Sequence, residues 1–205
     1  MKINKIVFAC CFFAGILVSS CTSVTKPSLK NENSVVSLDE SYENIIKHWS
    51  KETNIFFNFL KIADARAVLL NKAVVSAYEK ERNKILGQDS IDPNIKNFEE
   101  GYFSIYVSFY TPTKPYRDLQ KKGIWNIELK VNETSLKPEK MQFYKNKALL
   151  QPFFPSLSFW SSEYILVFKI PQELQNVLYE GKADLVELRL RSGLAQIELS
   201  WKKQE

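Results

Sequence analysis

The sequence is poor in the residues from which most catalytic and metal sites are built. It contains one histidine, His48, and only six glycines in 205 residues. Its three cysteines, Cys10, Cys11 and Cys21, all lie within the first 21 residues. Zinc sites need several cysteine or histidine ligands, and nucleotide-binding loops need several glycines at fixed spacing. We therefore expect no metal, no cofactor and no disulfide in the chain that follows Cys21.

The first twenty-one residues have the pattern of a secretory signal peptide. Lys2 and Lys5 form a basic start, an apolar run follows over residues 6–18, and small residues lead into Cys21. The apolar run is too short to cross a hydrocarbon core ~30 Å thick as a lasting helix. These three features together predict a signal peptide over residues 1–20. The competing interpretation is a buried first helix of a cytosolic fold with an incidental cysteine.

The end of this leader, Val18-Ser19-Ser20-Cys21, resembles the lipobox of bacterial lipoproteins. The resemblance covers the leader alone. It implies that the peptide before Cys21 is removed, that the cysteine thiol is diacylated and that the new amino terminus gains a third chain. Two or more acyl chains anchor a protein stably, whereas one chain holds it only marginally. Because Thr22 is not the aspartate associated with inner-membrane retention, the resemblance implies the periplasmic face of the outer membrane in a cell with two membranes.

The mature chain divides into a tether and one domain. Residues 22–36 are polar and aperiodic, so 21–36 is interpreted as the lipidated cysteine and a flexible tether spanning about 20 Å. Residues 37–205 are long enough for one globular domain and short for two. Loss of Lys2 and Lys5 lowers the formal charge from +5 to +3, and this surplus is dispersed. We therefore expect no nucleic-acid partner.

The first part of the domain, residues 37–100, is predicted to begin with a short helix. Ser37 and Glu40 have the spacing of a capping box. Apolar residues then recur at helical spacing, which predicts a helix over residues 38–49. His48 lies on the flank of this helix and is interpreted as a surface residue. A Ser-His-acid triad would have to use it, so no such triad is expected.

The segment that follows carries signals for both strands and helices. Residues 54–70 alternate apolar and polar side chains in two runs, which favours two strands, with a helix through the alanines as the alternative. Asn71 is a suitable helix cap and Gly87 a suitable terminating glycine, so a helix is predicted over residues 72–86. Asp92-Pro93 is predicted to start one more helical turn.

From Tyr102 onward the period of the apolar residues changes from 3.6 to 2. Strands are predicted around residues 102–110, 125–131, 141–143, 164–170, 186–190 and 195–201, with a Ser192-Gly193 turn joining the last two. Each strand has one apolar face, which a second sheet must cover. The predicted fold is α+β and mainly β: an antiparallel β-sandwich of Ig-like layout over residues 101–205, with short N-terminal helices packed on it.

The polar face of the strand over residues 102–110 is one candidate partner surface. Tyr102, Tyr106 and Tyr110 share this face. Tyrosines at alternate positions make a flat amphipathic surface that suits a sugar or a protein. The favoured interpretation is less specific: the helix over residues 72–86 half covers this face, and the hydroxyls reach solvent.

A second candidate is the aromatic connection over residues 153–160. It carries four aromatic side chains without any periodicity. We expect this stretch to close the open end of the sandwich and to bury Trp160. The alternative is that Phe159 and Trp160 dock on a partner, because exposed aromatic residues dominate many interfaces. The part from Phe154-Pro155 to Trp160-Ser161 also resembles small bacterial envelope lipoproteins of unassigned function, a likeness that implies no activity.

Together these features predict a protein without catalytic activity. We expect a binding or assembly module that is lipid-anchored in the bacterial envelope through Cys21, with an envelope protein or glycan as its partner. One alternative is a carboxylate-based hydrolase of envelope glycans that uses Glu99 or Glu100 with Asp118, although these carboxylates are interpreted as solvated surface residues. The other alternative is an adhesin exposed on the cell surface.

Overall fold

Two antiparallel sheets share an apolar core in the computed structural model, which describes residues 38–87, 101–145, 147–154 and 158–203. The strands in these ranges are β1 (Ser50–Phe57), β2 (Leu60–Leu69), β3 (Tyr102–Tyr110), β4 (Asn126–Val131), β5 (Thr134–Leu136), β6 (Pro138–Phe143), β7 (Ser162–Lys169), β8 (Leu185–Arg191) and β9 (Gln196–Lys202). One sheet has the order β1-β2-β3-β7-β6, and the other has the order β5-β4-β8-β9. The predicted α+β, mainly β sandwich is confirmed.

Helices account for the remaining regular structure of the described residues. They are α1 (Glu40–Trp49), α2 (Lys72–Leu86) and α3 (Gln172–Tyr179), with 3-10 turns at Lys114–Tyr116 and Lys147–Leu149. Among these residues there is no helix of the length and apolarity that a membrane span requires. The described residues all belong to one compact unit of the chain.

The core between the sheets follows from the alternation of apolar residues along each strand. In β3, Phe103, Ile105, Val107 and Phe109 point into this core. Every second residue of a strand lies on the same face of the sheet, and the facing strands β4, β8 and β9 supply matching apolar residues. Trp125 closes the core at one end, where its ring meets that of Phe109 edge to face at 5.2 Å.

A second apolar cluster covers the outer face of the five-stranded sheet. Here α1, α2 and residues 150–154 pack on side chains of β2, β3 and β7. The ring of Phe154 stacks on Tyr106 at 4.9 Å from one side and on Tyr78 at 5.1 Å from the other. The domain therefore has three layers, with the five-stranded sheet in the middle.

The ends of α2 follow the sequence prediction, whereas the start of α1 does not. The side chain of Asn71 accepts a 3.0 Å hydrogen bond from the backbone N–H of Val74, and Gly87 ends α2 with a φ of 62°. Helix α1 is capped by Asp39, whose carboxylate accepts the backbone N–H of Ser41 at 2.9 Å. The predicted capping box at Ser37 is therefore wrong, and Ser37 itself lies outside the described residues.

One charged residue of α2 is buried. Glu81 is buried, on the same helix face as Val74 and Tyr78. Its carboxylate accepts a 3.1 Å hydrogen bond from the backbone N–H of Asp39 and lies 3.5 Å from the ammonium of Lys84. The start of α1 thus supplies the partner that makes the burial of this carboxylate tolerable.

Residues 50–69 form a hairpin of two strands, which confirms the strand interpretation and excludes the alanine helix. Strands β1 and β2 pair from Ser50 with Val68 to Phe57 with Leu60. The alanines of β2 face the core between the sheets, where small side chains allow close packing. Strand β5 and helix α3 were not predicted. The turn predicted at Asp92-Pro93 lies outside the described residues.

Candidate functional site

The pairing of the strands brings three connections to the same end of the five-stranded sheet. Asp64 of β2 pairs with Tyr110, the last residue of β3, and Phe109 pairs with Ser162, the first residue of β7. On the far side of β7, Tyr164 pairs with Phe143, the last residue of β6. The tip of the β1–β2 hairpin, the turn before β7 and the end of β6 therefore lie at the same end of the sheet, with β3 between the hairpin and β7.

Large hydrophobic side chains are exposed at this end. We call it the aromatic end and define it by Phe56, Phe57, Phe59, Leu60, Phe143, Phe159 and Trp160, all of which are exposed. In the described residues, Leu86 is the one other exposed large hydrophobic side chain. Single exposed apolar residues are ordinary, but clustered ones mark interaction sites. The aromatic end is therefore the candidate site.

The hairpin tip reaches beyond the neighbouring strand. Because β3 ends opposite Asp64, the residues before Asp64 in β2 and their β1 partners have no β3 neighbour. The hydroxyl of Thr111 donates a 2.7 Å hydrogen bond to the carbonyl of Ile62, and this bond supports the base of the projection. The tip therefore projects from the sheet.

The turn at this tip holds an unfavourable residue. Asn58 and Phe59 both have positive φ, of 47° and 64°. Two-residue hairpin turns of this kind strongly prefer glycine at the second position, because a side chain in the left-handed region costs roughly 1–2 kcal/mol. The Phe59 side chain is fully exposed, so no packing offsets this cost. Strain retained without a packing gain is typical of functional positions.

The turn that presents Phe159 and Trp160 is held by a lysine. The ammonium of Lys147 donates hydrogen bonds to the backbone carbonyls of Ser158, at 3.3 Å, and Ser161, at 3.1 Å, and a further one to Phe159. The backbone N–H of Trp160 bonds to the Ser158 hydroxyl at 3.1 Å. These bonds order the backbone while both aromatic rings stay in solvent.

The prediction that Trp160 closes the sandwich is wrong. Its side chain is 74% exposed, whereas Phe153 and Phe154 of the same stretch are buried. Those two phenylalanines pack on Tyr78, so they cover the outer face of the five-stranded sheet and not the end of the sandwich. Leu119 and Trp125 cover this end of the core between the sheets instead.

The tyrosine face of β3 is divided between core and surface. Tyr106 is completely buried, and its hydroxyl donates a 2.6 Å hydrogen bond to the carboxylate of Glu163. Burial under Phe154 and α2 removes Tyr106 from any partner surface, which corrects its prediction as a surface residue. Tyr102 and Tyr110 are half-buried at opposite ends of the strand. Helix α2 covers part of this face, as the favoured interpretation predicts, but the Tyr106 hydroxyl does not reach solvent.

Positive charge surrounds the aromatic end. The β3–β4 and β6–β7 connections, as far as they are described, and the adjoining ends of β2 and β7 carry seven cations, which we call the basic rim: Lys61, Lys114, Arg117, Lys121, Lys122, Lys145 and Lys147. The same segments carry three acids, of which Asp64 and Glu163 are buried and Asp118 is exposed. Lys61 is paired with Asp64 at 2.7 Å. The surface potential around the exposed aromatic rings is therefore positive.

A cleft lies between α1, the β1–β2 hairpin and residues 151–154. Its volume is about 520 Å³; Tyr42, Ile46 and Phe154 are among its apolar lining residues. Two carboxylates, Glu43 and Glu52, also line it. The Glu52 carboxylate is paired with the guanidinium of Arg66 across the hairpin.

Two further candidate residues, His48 and Asp118, lie in the described part of the chain. His48 is exposed on α1, with its ring edge against Trp49 at 4.9 Å. Asp118 accepts the backbone N–H of Gln120 at 2.9 Å, which is a local turn contact. Cys21, Glu99 and Glu100 lie outside the described residues. Over the described ranges, no three His, Cys, Asp or Glu side chains are placed to hold a metal ion.

Sequence reasoning missed the most exposed part of the site. The run Phe56-Phe57-Asn58-Phe59-Leu60 was assigned to strands as ordinary apolar residues. The available signal was an asparagine, which tolerates the left-handed region, flanked by large apolar residues on both sides.

Comparisons with protein-family models, with curated proteins and with solved structures find no match.

Proposed function

We propose that this protein is a non-catalytic binding module of the bacterial envelope, held at the membrane through acylated Cys21, and that it binds through its aromatic end. The observation that carries the binding role is the concentration of exposed hydrophobic side chains at one end of the sheet. The strained, fully exposed Phe59 supports it, because its side chain contributes nothing to the fold that would offset the strain.

The anchor is supported by the leader sequence alone and has its own test. Cys21→Ala removes the thiol that would be acylated. We expect this variant to leave the membrane fraction or to accumulate uncleaved, while the wild-type protein resists extraction by salt. Extraction of the wild-type protein by salt alone would contradict the anchor, because acyl chains are held by hydrophobic contact and not by charge.

The binding role is tested by crosslinking from within the envelope. A photo-crosslinking residue placed at position 59 reports on the aromatic end. The matched control is position 133, because Glu133 is exposed in the β4–β5 turn at the opposite end of the domain. We expect adducts with an envelope component from position 59 and far fewer from position 133. Equal adduct yields from both positions would contradict a binding role for the aromatic end.

A further inference from the structure

We infer that the partner of the aromatic end is the anionic headgroup surface of a lipid bilayer, into which the exposed aromatic side chains insert. This inference rests on the proposed function, because it identifies what the same surface binds. Its first support is shape. The β1–β2 tip projects beyond β3 with Phe59 fully exposed. A projecting apolar tip fits a soft lipid interface without requiring a preformed pocket, whereas aromatic anchors at protein interfaces fill pockets on the partner.

The second support is the interleaving of aromatic and cationic side chains. The ammonium of Lys61 lies 5.7 Å from the centroid of the Phe56 ring, and that of Lys147 lies 5.2 Å from the Phe159 ring. Aromatic residues concentrate where membrane meets water. Each lysine or arginine near an anionic leaflet adds about 1 kcal/mol of attraction. The basic rim, with Asp118 as its one exposed acid, therefore matches an anionic lipid surface.

The third support is where the tether joins the domain. The backbone N–H of Asp39, just before α1, is bonded to Glu81 of α2. Helix α2 starts where β2 ends, away from the aromatic end, and Glu81 lies nine residues along it, about 14 Å by helix rise. The chain thus enters the domain part of the way toward the aromatic end. A flexible tether of the length predicted from the sequence would allow that end to reach the bilayer that holds Cys21.

The test uses the full acylated protein in vesicles of phosphatidylcholine, with or without phosphatidylglycerol, that carry bromine on their acyl chains. Bromine quenches tryptophan fluorescence on close approach. Trp160 is exposed, whereas Trp125 and Trp201 are buried and Trp49 is half-buried at the opposite end. We expect phosphatidylglycerol to increase quenching in the wild-type protein, salt to reduce it and Trp160→Phe to abolish most of it. Equal quenching in the wild type and Trp160→Phe would overturn the inference.

Two pairs of charge-reversal substitutions distinguish docking through the aromatic end from general electrostatic attraction of the protein to an anionic bilayer. Lys121→Glu with Lys122→Glu alters the basic rim, and Lys202→Glu with Lys203→Glu makes the same change at the opposite end. We expect the first pair to lower the ratio of docked to undocked protein by at least about fivefold per lysine, and the second pair to leave it near the wild-type value. Equal effects of the two pairs would overturn the inference.

Failure of the inference is distinguishable from failure of the anchor. Vesicle flotation reports on the anchor, because an acylated protein floats whether or not its domain docks. Protein that floats with Trp160 unquenched overturns the membrane inference and leaves the anchor standing. Protein that does not float contradicts the anchor itself. Adducts from position 59 to a single protein, with Trp160 unquenched, would assign the aromatic end to a protein partner instead.

Discussion

The hydroxyl of Tyr106 in β3 donates a 2.6 Å hydrogen bond to the buried carboxylate of Glu163 in β7. The hydroxyls of Ser161, at 2.6 Å, and Ser108, at 3.1 Å, donate to the other carboxylate oxygen. This network joins the middle of the sheet to the turn that presents Phe159 and Trp160. The position of that turn is therefore tied to β3 and β7.

The first prediction concerns the Glu163 carboxylate. Glu163→Ala leaves buried hydroxyls without their acceptor, so we expect the free energy of unfolding to fall by roughly 1–3 kcal/mol or more. The matched control is Glu139→Ala, because Glu139 is exposed and accepts one long bond of 3.4 Å from Tyr102. That control is expected to stay within about 0.5 kcal/mol of the wild type. Chemical denaturation measures both, and equal losses would contradict the prediction.

The second prediction compares two aromatic residues of one connection. Phe154 is buried between Tyr78 and Tyr106, so Phe154→Ala is expected to cost about 3–5 kcal/mol. Trp160 is largely exposed, so Trp160→Ala is expected to change stability by no more than about 0.5 kcal/mol. Thermal unfolding of the two variants checks the contrast. A large loss in Trp160→Ala would mean that its ring is packed, contrary to its observed exposure.

The third prediction isolates the strain at the hairpin tip. Phe59→Gly removes the side chain from a left-handed position at which glycine is free of steric cost. We expect the free energy of unfolding to rise by about 1 kcal/mol. Phe59→Ala removes the same aromatic ring but keeps the Cβ atom, so no such gain is expected. If both variants had equal stability, backbone strain at Phe59 would not be the cause.

The fourth prediction concerns alkaline pH. Burial raises the pKa of Tyr42 far above its ordinary value, with smaller contributions from Tyr78 and Glu81. Burial likewise raises the pKa of Tyr164, partly offset by a hydrogen bond from the backbone of Leu119. Above pH ~10 the unfolded chain releases these protons while the folded domain retains them. The contribution of these two groups to stability is therefore constant below pH ~10 and falls by up to about 1.4 kcal/mol per pH unit for each group above it.

Tyr42→Phe tests this assignment. The variant is expected to lose about 1 kcal/mol near neutral pH, because the carbonyl of Phe153 loses the 2.8 Å hydrogen bond from the Tyr42 hydroxyl. Above pH ~10 its stability should fall less steeply than that of the wild type, since one titrating phenol is gone. Urea denaturation across the pH range measures both slopes. Parallel slopes would contradict the role of Tyr42.

Local sequence patterns predicted those parts of the fold that depend on local physics. Asn71 and Gly87 bracket α2 because a cap and a left-handed glycine act within one helical turn. The alternation in β3 predicted which side chains enter the core between the sheets. Helix α3 also had a local signal that was not used, since Pro171 precedes an amphipathic run ending in Leu178.

The parts that were missed depend on contacts distant in the chain. Phe154 and Trp160 lie in one connection with the same aromatic character, and only the positions of Tyr78 and Tyr106 decide which is buried. The burial of Glu163 likewise depends on a hydroxyl from β3, 57 residues away. At the hairpin tip, alternating apolar residues predicted the strands, but no pattern showed that β3 would end early and leave Phe59 exposed.

The three-layer arrangement also determines how easily each strand separates from its neighbours and exposes its amide hydrogens to solvent. Strand β3 is hydrogen-bonded to β2 on one side and to β7 on the other. Side chains on one of its faces belong to the core between the sheets, and side chains on its other face belong to the outer apolar cluster. Its amide hydrogens exchange with solvent only when both clusters come apart, which is unfolding of the whole domain. Strands β1 and β6 are bonded on one side and lie at the edges of the sheet. The hairpin tip is therefore attached to β1, an edge strand that opens locally. The base of the hairpin is bonded to Thr111, which directly follows β3, the strand of this sheet whose amide hydrogens exchange most slowly.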